Sequence, residues 1–170
     1  MATVPDSTST AVLVAVAGGA GAFAGAALGA WLTQHGRRKE RRQEQQRADA
    51  AVLGPVMAFL TEVDPDRLAV TVRSGATEQE KVMSPLRDRL DGIHGSLLIL
   101  AAGHPSDQVS DLARRLAIAV RSTFTSASWL VQDLIRHSEL SYRDKAKEDH
   151  AQASQLAEDL LNEIARYGRG

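Results

Sequence analysis

Residues 11–32, AVLVAVAGGAGAFAGAALGAWL, are 22 consecutive residues without a charge. At 1.5 Å of rise per residue a helix of that length covers roughly 33 Å, enough to cross the hydrocarbon core of a bilayer. Inside that core only a helix satisfies its own backbone polar groups within one segment. The stretch predicts a single-pass transmembrane helix from Ala11 to Leu32, with the rest of the chain hung from it.

The flanks give the helix a direction. Residues 1–10 carry one charge, Asp6, among Ser, Thr and Pro, and predict a short disordered external tail. Residues 37–47 carry Arg37, Arg38, Lys39, Arg41, Arg42 and Arg47 against Glu40 and Glu44. Basic residues mark the cytoplasmic side, so the expectation is an inner-membrane protein with its N-terminus outside and its C-terminal body in the cytoplasm. Trp31 stands at the basic end, where an amphipathic ring suits the interface.

The span is only marginally apolar. Nine of its residues are Ala and five are Gly. Gly21, Gly25 and Gly29 fall four apart and Ala17 extends the row, so four small residues share one helix ridge on which another backbone can approach closely. The ridge predicts self-association, or pairing with another membrane helix. The competing reading is a cleavable signal peptide. Ala22-Phe23-Ala24 has the small-x-small form of a cleavage site, and the product would be a secreted helical protein lacking residues 1–24. Against it, no Lys or Arg precedes the apolar run.

Composition bounds the remainder. A chain of 170 residues suits one anchor and one domain. The formal net charge is −1, without the basic excess that marks a nucleic-acid binder. With no cysteine there is no disulfide, thiolate nucleophile or Cys-based zinc site.

Residues 33–50 read as a basic juxtamembrane helix. RRKERRQEQQRADA, residues 37–50, is rich in helix formers but has no apolar face. It either continues the membrane helix or breaks at Gly36, and its cations either set topology or bind anionic lipid headgroups through Arg37, Arg38, Lys39, Arg41 and Arg42.

From residue 51 to residue 170 the pattern is that of a helical bundle. Val52, Val56, Phe59 and Val63 make one face, and Gly54-Pro55 within it predicts a kink or restart near Ala51 to Gly54. Asp64-Pro65-Asp66 reads as a turn. In residues 67–75 the alternation of Leu68, Val70 and Val72 is strand-like, but it has no partner strand, so an irregular segment or weak helical extension is expected. Capping-box spacing at Thr77–Glu80, or Ser84-Pro85, starts the next helix. Its face is Val82, Leu86, Leu90, Ile93, Leu97 and Leu100, and it ends at Gly103. Ser106 caps a long central helix with the row Val109, Leu112, Leu116, Val120, Thr123, Ala127, Leu130 and Leu134, widened by Ile118, Phe124, Val131 and Ile135. A second capping box at Ser141–Asp144 starts the last helix, polar at first and then apolar at Ala153, Leu156, Leu160, Ile164 and Tyr167. The fold class is all-α: one N-terminal transmembrane helix, a polar linker helix, then an antiparallel three- to four-helix bundle.

No motif points to catalysis, to a cofactor or to a metal. His35, His94, His104, His137 and His150 include no pair at metal-binding helical spacing. The Ser/Thr cluster at 122–128 has no recognisable base or oxyanion donors and reads as a close helix contact. Asp144/Glu148 and Glu158/Asp159 read as a solvated face.

The run AGGAGAFAGAALGAWL followed by RRKERRQEQQRADA resembles a group of small single-pass proteins of high-GC bacteria, which join a Gly/Ala-rich anchor to a helical cytoplasmic domain. The resemblance implies topology and says nothing of activity. The function expected is non-enzymatic: a membrane-anchored scaffold that self-associates through its glycine ridge and presents its bundle to a cytoplasmic protein. A pore-forming or membrane-remodelling oligomer is the alternative, disfavoured because no polar residue in 11–32 lines a lumen.

Overall fold

The computed structural model describes residues 40–41, 43–75, 78–137 and 140–168. The chain divides into two units, Met1–Glu44 and Gln45–Gly170. In the first, the described residues 40, 41, 43 and 44 are helical and exposed. The expected membrane helix lies outside the described residues. Among those described, no helix is long and apolar enough to cross a membrane.

The second unit is an all-α bundle. Helix α1 covers residues 45–62, followed by α2 (Pro65–Arg73), α3 (Gln79–Gly103), α4 (Asp107–His137) and α5 (Arg143–Tyr167). The four long helices run alternately up and down. At one end Asp49 of α1, His104 after α3 and Tyr167 of α5 meet. At the other, Gln79 of α3 reaches Ser128 of α4, and Arg143 of α5 reaches Asp66 of α2. Helices α3 and α5 pack along α4, and α2 packs on α4 and α5.

The core follows the apolar rows. Val56, Phe59, Val63, Leu97, Leu116, Val120, Leu130 and Leu160 are all buried. Burying each large side chain contributes on the order of 1.5–3 kcal/mol before entropy is counted. Phe59 of α1 meets Phe124 of α4 with ring centroids 6.5 Å apart, across the centre of the bundle.

Several local expectations are corrected. No restart occurs between Ala51 and Gly54: residues 45–62 are helical throughout. Residues 67–75, expected to be irregular or a weak helical extension, fall mostly within a separate helix, α2, which starts at Pro65 in place of the expected turn and ends at Arg73. Its buried residues Pro65, Leu68, Ala69 and Val72 follow helical spacing, while Val70 of the strand-like alternation is exposed. Asp64 starts this helix, its Oδ1 accepting the Asp66 and Arg67 N–H groups at 3.1 and 2.9 Å. Helix α3 starts without a side-chain cap, at Glu78, and Ser84-Pro85 lies in its interior. Pro85 is the seventh residue of the helix, beyond the four N–H groups that lack an intrahelical acceptor, so it removes one i→i−4 bond, to the Lys81 carbonyl. Helix α5 also lacks a side-chain cap. The connection before it is held from outside, by Asp133 Oδ2 accepting the Ser141 N–H at 3.1 Å. Ile118 does not widen the α4 stripe: it is 69% exposed. The Gly103 stop and the Ser106 cap stand, with the Val109 N–H 3.4 Å from Ser106 Oγ.

Candidate functional site

Three polar constellations stand out in the bundle. The first is at the lower end. His104 follows the stop at Gly103, and Pro105 prevents α3 from continuing. The ring is fully buried, and its Nδ1 accepts the Ser106 N–H at 3.0 Å. Its Nε2 lies 3.3 Å from Asp49 Oδ2, and the Tyr167 ring packs on it edgewise at 4.8 Å. Burial pushes the Asp49 carboxyl above its ordinary range, and His104 pulls it part of the way back. With Nδ1 held by backbone and Nε2 enclosed against Asp49, the imidazole presents no solvent-accessible nitrogen to a substrate. The arrangement serves to tie α1, the α3–α4 connection and α5 together.

The second constellation lies between α4 and α5. Asp149 is buried and accepts from Lys145 Nζ at 2.7 Å and from Ser122 Oγ at 3.2 Å. Thr123 Oγ1 stands 2.9 Å from Ala119 O and 3.0 Å from Asp149 O, sharing one proton between two helices. Burial raises the Asp149 carboxyl, but Lys145, Ser126 and Ser122 together outweigh it and hold the group below its ordinary value. Ser122, Thr123 and Ser126 thus make the close helix contact with α5 that the cluster predicts, whereas Thr125 is exposed and bonds only the Arg121 carbonyl of its own helix.

The third is a cleft of about 330 Å³ at the upper end of α4, lined by Trp129, Gln132, Asp133, Arg136, His137 and Tyr142. The Trp129 and Tyr142 rings are tilted against one another at 5.6 Å. Both are exposed. Its two rings, guanidinium and imidazole suit recognition of a surface more than covalent chemistry. Near it, Asp66 accepts from Arg143 Nη2 at 2.7 Å and from Lys147 Nζ at 3.0 Å, which holds its carboxyl below the usual range.

Of the residues expected to mediate helix association, Ala17, Gly21, Gly25 and Gly29 lie outside the described residues, as do Arg37, Arg38, Lys39 and Arg42. Arg41 is helical and exposed. His94 is half-buried on α3, and His150 Nε2 stands 2.9 Å from Leu60 O. Among the described residues no group of three or more His, Asp or Glu could hold a metal ion.

Sequence reading missed Asp49 and Asp149, two of the three buried aspartates among the described residues. Asp149 was findable: Ala146 and Asp149 continue the Ala153, Leu156, Leu160 row by steps of three and four. Asp49 carried no such signal, being one acid among many in a polar stretch. Comparison of the chain with protein-family models, with curated proteins and with solved structures found no match.

Proposed function

We propose that this chain is a membrane-anchored scaffold. Residues 11–32 span the inner membrane, the glycine ridge pairs copies or recruits another membrane helix, and the cytoplasmic bundle engages a protein partner. The observation that carries the reading is the row Ala17, Gly21, Gly25 and Gly29 inside an uncharged span, followed at once by a basic collar. A marginally apolar span gains from company in the bilayer, and tethering raises the local concentration of the bundles, so that weak contacts between body and partner suffice. The resemblance to small single-pass proteins of high-GC bacteria supports the same topology.

Crosslinking in membranes tests the association. Wild type is expected to give dimer or higher bands, and the triple variant Gly21→Leu/Gly25→Leu/Gly29→Leu a monomer band. Identical monomer bands from both would refute the glycine ridge. Recovery of a mature chain beginning at Gly25 would refute the anchor and favour the secreted reading.

A further inference from the structure

The outward face of α4 carries a stripe that neither the core nor an ion pair uses. Arg114, Ile118, Arg121, Thr125, Trp129 and Arg136 fall three, four or seven residues apart. At 3.6 residues per turn they occupy about 80° of the helix circumference over roughly 33 Å of its length. Ile118 is 69% exposed and Trp129 48%. Helices α3 and α5 cover other faces of α4. From Arg114 to Arg136 the helix has one carboxylate, Asp133, which is buried and accepts the Ser141 N–H. Arg115, beside the stripe, is matched with Asp111 at 3.7 Å. The three stripe arginines have no carboxylate partner among the described residues.

A surface that combines unmatched guanidinium groups with two large exposed apolar side chains calls for an occupant that is anionic and partly apolar. A second copy of the stripe fails on charge, since pairing would set three arginines against three. An anionic bilayer surface meets both demands. Guanidinium groups engage phosphate oxygens bidentately, and an indole beside an aliphatic side chain suits the interfacial layer. We propose that the α4 stripe docks the bundle on an anionic lipid surface, with Arg114, Arg121 and Arg136 on headgroup phosphates and Ile118 and Trp129 in the interface. The proposal rests on the anchor reading, since a tether holds this face at high effective concentration near the headgroups.

The test uses the full chain carrying Trp31→Phe, which leaves Trp129 as its single indole. The protein is mixed with vesicles of phosphatidylcholine, alone or with phosphatidylglycerol, containing brominated acyl chains. Trp129 emission is expected to shift to the blue and to be quenched only on the anionic vesicles, and to recover at high salt. Each Arg→Gln change in the stripe should lower the docked-to-free ratio roughly fivefold. Ile118→Ser, at an exposed site, should weaken quenching while the helical circular dichroism is unchanged. Equal emission on both vesicle types overturns the proposal. So does a Trp129 that stays accessible on anionic vesicles but is shielded by polyglutamate, which assigns the face to an acidic protein. Resistance to alkaline carbonate extraction reports the anchor separately. A chain that resists extraction but is not quenched overturns docking alone, and one that is quenched on anionic vesicles but released by carbonate supports docking and overturns the anchor.

Discussion

His104 Nε2 faces Asp49 Oδ2 at 3.3 Å in a closed site, within ion-pair distance but without hydrogen-bond geometry. The attraction between the two groups therefore lacks the directional part of a good bond, and the cost of burying Asp49 dominates. A carboxyl raised in the fold binds its proton more readily folded than unfolded. Its contribution is favourable at low pH and is lost as pH rises through the raised value. Relative to Asp49→Asn, the wild type should gain stability as pH falls from neutral toward the ordinary carboxyl value of 3.8. Urea midpoints of both proteins across that range measure it, and parallel pH profiles would contradict it.

Asp149 should behave with the opposite sign. Burial opposes its charge, but Lys145, Ser126 and Ser122 prevail and lower the group below its ordinary 3.8. The stability it contributes is present above that value and lost as pH falls through the lowered one. Asp149→Asn is expected to cost about 1–3 kcal/mol at neutral pH, by weakening the bonds from Ser122 and Lys145. The gap to wild type should close in acid. A gap that is constant with pH assigns the effect to packing instead.

The exposed and buried sides of α4 predict a contrast two residues apart. Leu116 is fully buried and Ile118 is 69% exposed. Leu116→Ala should cost about 2–5 kcal/mol through transfer and cavity terms. Ile118→Ala should stay within about 0.5 kcal/mol. Comparable losses in thermal or chemical unfolding would place the helix in a different rotation.

Capping predicts a second contrast. Asp64→Ala removes the acceptor for two N–H groups of α2 and should destabilise by about 0.5–2 kcal/mol. Glu78→Ala, at the start of α3, removes no side-chain cap and should cost far less. Hydrogen exchange of the α2 amides would locate the first loss.

Gly92 lies inside α3, is exposed, and a Cβ there meets nothing within 4 Å. Gly92→Ala should stabilise the protein by about 0.5–1 kcal/mol, by limiting the unfolded chain and favouring the helix. A lower unfolding midpoint would show that the groove beside it, formed with Ala51, Val52 and Pro55 of α1, needs the space.

Periodicity alone determined that the described body of the chain is all-α and bundle-like. It also identified most of the buried faces, because a helix with an apolar row must bury it and the row is written in the residue order. The Gly103 stop and the Ser106 cap were legible for a similar reason: they act within one turn of their own helix. What local pattern could not determine was which of two compatible readings the rest of the bundle selects. Leu68, Val70 and Val72 alternate like a strand, yet residues 65–73 become a helix because α4 and α5 offer a surface to Pro65, Leu68, Ala69 and Val72. Ile118 fits beside an apolar row, yet it faces outward because α3 and α5 occupy other sides of α4. The meeting of Asp49 with His104, 55 positions along the chain, arises only when the bundle brings those two segments to one end. Such pairings depend on distance in space, and no spacing in the sequence encodes them.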